Sequence, residues 1–405
     1  MMISAVTVRQ FSAAFFFLCL FRSSLDPVSE LFQVGGLGLG SVINFIVLFV
    51  FVITLIKFEF IINRRVFLLG GAFVLLSFFS VFYSPMKFES FKSFVVVPAY
   101  FCIFILPFYF CRSGKALLSI FRVTIYSSII PVFVGFLEML DLVKPSYAYN
   151  DRLFSTFYHP NALAFYLLVV ISSCMFVVKS SLVKVGAKER CFVFFMMLVM
   201  VVVLLGTQTR SSWIALFLVF FIYSILAERK YLIYVVLGAV IAFSLPAVQN
   251  RISDLFEEND NIEYFEASNS LEWRQIAWSD SFSFIKEKPI VGHGYNTFSY
   301  YYPFFSRLNE LRGFDAHNVY VQVTFDMGFL GLILYLSIVI GLMKRLWFYR
   351  KKDIKGISIL FSLMCSYALV GYSDNLLYYL SFNWYFLLLM GGVYFYLPCL
   401  ESKGP

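Results

Sequence analysis

The chain has 405 residues, of which 60% are hydrophobic, 20% aromatic and 14% charged, with 32 Lys and Arg against 24 Asp and Glu for a formal charge of +8. About a quarter of an ordinary soluble domain is charged, so a water-soluble enzyme is excluded, and the apolar positions suffice for twelve membrane spans of about 20 residues each. The positive excess fits loops on the cytoplasmic side of a membrane better than it fits nucleic acid. All seven cysteines fall within or at the ends of apolar runs, which argues against a disulfide framework or a Cys-ligated zinc site.

In chain order the apolar runs cover residues 3–22, 38–56, 66–83, 93–111, 116–140, 161–178, 191–206, 211–227, 231–248, 318–342, 356–373 and 380–399. Arg9 before the first run resembles the start of a signal peptide, but no small-x-small cleavage site follows at Phe21-Arg22-Ser23, so the run is read as the first membrane helix. The predicted class is an all-α integral membrane protein of about twelve transmembrane helices with one large outer loop containing short helices. Residues 1–248 carry helices one to nine, 249–317 the loop and 318–405 the last three. With both termini on the inner side, 20 Lys and Arg lie in or beside the inner loops and termini, against 6 outside the long loop on the outer side. Long loops are discounted because they translocate regardless of charge. A miscount by one span would invert every later loop and destroy that asymmetry.

The outer segment 249–317 carries 11 Asp and Glu. Within it, Leu271, Arg274, Trp278, Phe282 and Ile285 recur at steps of three and four, predicting one burying face of a helix over 270–286. Asn269 and Glu272 form a candidate capping box at its start, and Pro289, Gly292 and Gly294 predict a turn at its end.

Few polar residues stand where chemistry could be done. Arg210 lies in Gly206-Thr-Gln-Thr-Arg-Ser-Ser-Trp213 at the outer junction of two spans. It reads either as a snorkelling anchor or as a planar fork for phosphate or diphosphate. Arg274 shares the apolar face of its helix, so it needs an anionic partner, either a loop acid such as Glu272 or Asp280 or a substrate. His317, in Asp315-Ala-His-Asn318 where the loop re-enters the membrane, is a candidate general base or a hydrogen-bonded helix-start residue beside Asn318. His159, in Tyr158-His-Pro-Asn161, precedes a helix whose first turn Pro160 favours. It is a secondary candidate together with Arg152 on the same outer face. His293, between Gly292 and Gly294, reads as a turn residue. The acids Glu138, Asp326 and Asp374 lie toward outer span ends and form no midplane chain of carboxylates, which counts against a proton-coupled pump.

Taken in order, these pieces resemble the O-antigen ligase and polymerase family of bacterial envelope polysaccharide assembly. The resemblance rests on Phe157-Tyr-His-Pro-Asn161-Ala-Leu-Ala-Phe-Tyr-Leu167, Thr207-Gln-Thr-Arg-Ser-Ser-Trp213, Trp273-Arg274 with Trp278, Pro289-Ile-Val-Gly-His-Gly294, His317-Asn-Val-Tyr-Val-Gln322 and Asp326-Met-Gly-Phe-Leu-Gly331. It implies a multi-pass enzyme of the bacterial inner membrane with its active face in the periplasm and a metal-independent inverting glycosyl transfer without cofactor. The implied donor is an undecaprenyl-diphosphate-linked glycan. The acceptor is a second glycan for a polymerase or lipid A core for a ligase. Membrane lipid surrounds the enzyme, and a chain-length regulator or a flippase are further partners. By the same resemblance Arg210 and Arg274 hold the diphosphate and His317 deprotonates the acceptor, with His159, Arg152 and Asn318 lining the substrate. The family often has Glu where this chain has Asp326. Polymerisation is the favoured reading, on the His-Pro-Asn element and the short tail, with ligation second and a flippase for lipid-linked sugars third.

Overall fold

The computed structural model describes residues 15–25, 33–34, 37–57, 64–143, 152–244, 246–253, 270–308 and 313–401. Every apolar run is mainly helical where it is described. Six helices are long and apolar enough to cross a membrane: Lys87–Phe110, Gly114–Met139, Pro160–Lys179, Ala187–Gly206, Val319–Lys352 and Leu380–Leu400. The other runs form shorter apolar helices, Phe15–Ser24, Gly40–Ile56, Val66–Phe82, Arg210–Leu226 and Ile354–Val370, together with Leu232–Ser244. The only strands among the described residues are Gln33–Val34 and Leu37–Gly38, a two-residue antiparallel pair.

The Pro160–Lys179 helix is buried along almost its whole length and packs against Ala187–Gly206, Ile354–Val370, Gly114–Tyr126 and Leu380–Tyr396. Leu232–Ser244 is the opposite case: it buries none of its residues and exposes Ile233, Val236, Leu237, Val240, Ile241 and Phe243. An apolar surface of that extent is unfavourable against water and suited to hydrocarbon.

The central helix also separates two polar ends. At its C-terminus Lys179 Nζ lies 3.0 Å from Glu228, which Lys355 approaches at 3.2 Å. Three of the basic segments that the charge pattern assigns to one side therefore meet there. At its N-terminus, about 30 Å away for 20 residues, His159 begins the other polar cluster.

The long helix Val319–Tyr349 is interrupted at Gly328, whose φ of 66° and ψ of −172° are not helical. Such a break frees the carbonyls of residues 325 and 326 and the amides of 329 and 330, which an unbroken ladder would pair with one another. The turn that follows the outer helix satisfies all four. His293 N and Gly294 N donate to the Phe325 and Asp326 carbonyls, each at 2.9 Å, while Phe329 N and Leu330 N donate to the Pro289 and Ile290 carbonyls at 2.7 and 3.3 Å. Gly292 and Gly328 let the two backbones touch, since a Cβ at Gly328 would lie 2.2 Å from Ile290 and one at Gly292 2.5 Å from Asp326. Asp326 completes the graft. Its carboxylate accepts from Asn296 N at 2.9 Å, Thr297 N at 3.1 Å and Gln322 Nε2 at 3.0 Å.

Candidate functional site

The outer helix forms as Ser270–Glu287, but its burying face is turned from the expected one. Ala277, Ser281 and Ile285 are buried, Leu271 and Phe282 are 41% and 52% exposed, and Trp273 and Phe284 take their place against the core. The small residues at 277 and 281 allow close approach of the backbone, which large apolar residues at 271 and 282 would not. Arg274 and Trp278 stay on the inward side, half-buried. Asn269 lies outside the described residues.

Two tryptophans of this helix frame the loop's re-entry. Trp278 Nε1 donates to the Ala316 carbonyl at 2.6 Å, and the Trp273 ring meets the His317 imidazole edge-on with centroids 5.7 Å apart. His317 has a φ of +46°, a left-handed conformation that non-glycine residues adopt at a cost and that recurs at functional positions. Asn318 then caps the long helix, its side-chain oxygen accepting from Tyr320 N at 2.9 Å and Val321 N at 3.2 Å.

The centre of the cluster is Asp374, 2% exposed, between the Ile354–Val370 and Leu380–Tyr396 helices. It accepts from Asn161 Nδ2, from Tyr379 OH and from Asn375 N, each at 2.9 Å. The His317 Nδ1 stands 3.6 Å from its Oδ1, within ion-pair reach but beyond a formed hydrogen bond. Burial alone would push this carboxyl up, yet His317, Tyr379 and the charge of Arg274 outweigh it and hold Asp374 below the usual carboxylate range. Arg274 acts on it through its field, and its buried Nε has no hydrogen-bond partner among the described residues. The loop acid Asp280 is bound to Arg307 at 2.6 Å, so it is not the partner of Arg274 that the sequence left open.

Arg152 joins the N-terminus of the central helix to the turn before the Arg210–Leu226 helix. Its Nη2 donates to Asn161 Oδ1 at 2.9 Å and Thr209 Oγ1 at 3.0 Å, and its Nε donates to the Thr207 carbonyl at 2.9 Å. Arg210 is the first residue of that helix, directly after Thr209, and is half-buried. His159 caps the central helix, its Nδ1 accepting from Asn161 N at 3.1 Å. Burial first, then the Arg152 charge, lower its pKa to about 4. It is therefore neutral at physiological pH with its remaining proton on Nε2, a hydrogen-bond donor rather than a cation.

The structure thus brings Arg152, His159, Arg274, His317 and Asn318 around one buried acid, with Arg210 on the adjoining turn. The sequence reading missed Asn161, Asp374, Gln322 and Asn375 as parts of this cluster. Gln322 accepts from Ala316 N at 3.1 Å and Asn375 Nδ2 at 3.0 Å, and Asn375 Oδ1 accepts from Asn318 N at 3.1 Å. These bonds lock the His317 loop to the segment holding Asp374. The Tyr158-His-Pro-Asn161 element carried a signal for Asn161. Asp374 was visible only as a carboxylate near a span end. His293 is a turn residue as expected, with Nε2 2.7 Å from the Phe284 carbonyl.

Residues 195–336 match a family model described as O-antigen ligase. No curated protein matches the chain. The matched stretch holds Arg210, Arg274, His317 and both halves of the Gly328 graft, whereas Arg152, His159, Asn161 and Asp374 lie outside it.

Proposed function

We propose that the chain, matched over residues 195–336 by a family model described as O-antigen ligase, is a membrane glycosyltransferase of the O-antigen ligase and polymerase family that draws glycan from an undecaprenyl-diphosphate carrier at the periplasmic face. The polar cluster around His159, His317 and Asp374 faces the periplasm in this reading and the Glu228 end faces the cytoplasm, in a bundle of about twelve spans with both termini inside. Residues 249–317 form its periplasmic loop.

The observation that carries the proposal is that the His317 imidazole and the charge of Arg274 both bear on buried Asp374, to which Arg152 is linked through Asn161. A sugar on a lipid diphosphate already has a good leaving group. The protein must therefore hold the acceptor hydroxyl in line and neutralise charge as the bond from the anomeric carbon to the phosphate oxygen breaks. His317 takes the hydroxyl proton as the new glycosidic bond forms on the opposite face, inverting the anomeric carbon. Asp374 turns the imidazole and stabilises the imidazolium, and the 3.6 Å gap closes as that charge appears. Arg210 and Arg274 receive the departing diphosphate, and no metal takes part. Arg152, through Asn161 and Thr209, fixes the turn that presents Arg210. Neutral His159 and the helix-capping Asn318 complete the substrate wall.

Polymerisation of O-antigen, capsule or exopolysaccharide repeat units is the favoured reaction, because the His-Pro-Asn element is built into the cluster through Asn161. The description of the matched family model favours transfer to lipid A core instead. Purified protein with carrier-linked repeat units, with and without lipid A core, separates them on an electrophoretic ladder. A polymerase makes longer carrier-linked chains without core, whereas a ligase makes product only when core is added. Absence of product in both arms would overturn the assignment as a transferase.

A further inference from the structure

A cavity of about 430 Å³ lies between the helices Arg64–Phe82, Val96–Ile105, Val319–Tyr349, Ile354–Val370 and Leu380–Tyr396. That volume is within the range of small-molecule sites. Its walls are largely apolar, including Phe73, Phe101, Leu342 and Phe386, and Lys344 and Arg345 stand at one end. At the other end Asn383 also lines it, but Asn383 Nδ2 is committed to the Leu376 and Tyr379 carbonyls and to Tyr100 OH. The two cations are differently placed. Arg345 lies over the Tyr394 ring at 4.0 Å and donates to the Tyr394 carbonyl at 3.2 and 3.3 Å. No described carboxylate forms an ion pair with Arg345 or Lys344. Gly341, one turn before them, lines the same cavity, and a Cβ added there would meet nothing within 4 Å.

We infer that this cavity takes an acyl chain of an anionic phospholipid whose phosphate is held by Lys344 and Arg345. Apolar walls ending in two cations are complementary to a hydrocarbon chain ending in a phosphate, and basic pockets between membrane helices on the cytoplasmic side recognise such headgroups. The segment 343–355 is also the most basic of the short loops, with six Lys and Arg. The occupant is distinct from the glycan donor. The donor diphosphate belongs beside His317 in that reading, and Lys344 lies beyond the Gly328 break on the second segment of the long helix, 16 residues or about 24 Å past Gly328 at the helical rise. The inference rests on the membrane setting of the proposed function but not on its transfer chemistry.

Full-length protein, purified and reconstituted in phosphatidylcholine nanodiscs, is titrated with phosphatidylglycerol and followed by native mass spectrometry and thermal unfolding. The expected result is retained phosphatidylglycerol and a raised Tm, with at least a tenfold loss of retention in the Lys344→Ala/Arg345→Ala double variant. Gly341→Leu fills the open space, so it should keep the lipid-free Tm and still lose retention by at least tenfold. His317→Ala should retain phosphatidylglycerol fully, which separates failure of this site from failure of the transferase reading. Equal retention of phosphatidylcholine, or unchanged retention in the Lys344/Arg345 or Gly341 variants, overturns the inference. Displacement by undecaprenyl phosphate overturns it in favour of the donor's own tail.

Discussion

The two polar ends of the central helix are built from similar residues and solve opposite problems. At the Lys179 end the carboxylate of Glu228 is met directly by ammonium groups, at 3.0 Å from Lys179 and 3.2 Å from Lys355, and by the Tyr223 hydroxyl. At the His159 end the carboxylate of Asp374 is met by two amide donors and a hydroxyl, while the imidazole stands off at 3.6 Å and Arg274 acts only through its field. Direct pairing at the first end consumes charge to tie three segments together. Stand-off at the second leaves the His317 Nδ1 and the Arg274 Nε without a hydrogen-bond partner among the described residues, which the proposed reaction would use to receive an anion.

Removing the charges at the Asp374 end should cost the most activity. His317→Ala, Arg274→Ala and Arg210→Ala are each expected to reduce transfer by roughly 10²–10³-fold without lowering Tm, measured as product formed from carrier-linked repeat units. Near-normal product from either arginine variant would remove that residue from the site. Gly328→Ala should act on the fold instead. Its Cβ would fall 2.2 Å from the Ile290 backbone at a φ of +66°, and a cost above about 3 kcal/mol should appear as lost monodisperse protein on size-exclusion chromatography.

Asp374→Asn sharpens the contrast further, because it preserves the shape and removes the charge. Transfer should fall by about 10²–10⁴-fold with little change in KM, whereas a purely structural acid would show up in Tm first. Glu228→Gln should do the reverse, lowering Tm by a few degrees and leaving transfer unchanged.

Acid should separate the ends as well. The lowered pKa of His159, about 4 in the fold against about 6.5 unfolded, means the unfolded chain takes up a proton first. The corresponding stability is present above pH 6.5 and lost as pH falls toward 4. For Glu228, burial pushes the carboxyl up, but hydrogen bonds from Tyr223, Lys179 and Lys355 prevail and hold it at about 2. Its contribution is lost only as pH falls from about 4.3 to 2. Melting curves should therefore soften first through the His159 end, and His159→Gln should flatten the slope between pH 6.5 and 4.

Much of the helical layout was legible because span length and composition are properties of contiguous residues. Arg152, His159, His317 and Asn318 were legible as sparse polar groups near span ends, where desolvation makes them conspicuous, and Arg274 as a charge on the burying face of the outer helix. Asp374 carried the same sign but no role, since its partners at 161, 317 and 379 come together only in the fold. The face of the outer helix was misjudged at Leu271 and Phe282 because periodicity weights large residues, whereas this interface is set by Ala277 and Ser281. The turn at Pro289–Gly294 and the Gly328 motif were each visible, but not the four main-chain bonds that join them.

Those four bonds make the outer helix and the upper part of the long helix a single wedge. Arg274 sits on one limb of the wedge and His317 at the tip of the other, so the spacing between guanidinium and imidazole is preset before any sugar binds. In the proposed reaction an incoming carrier must then adapt itself to that spacing, and discrimination between acceptors would fall to whatever surrounds the wedge.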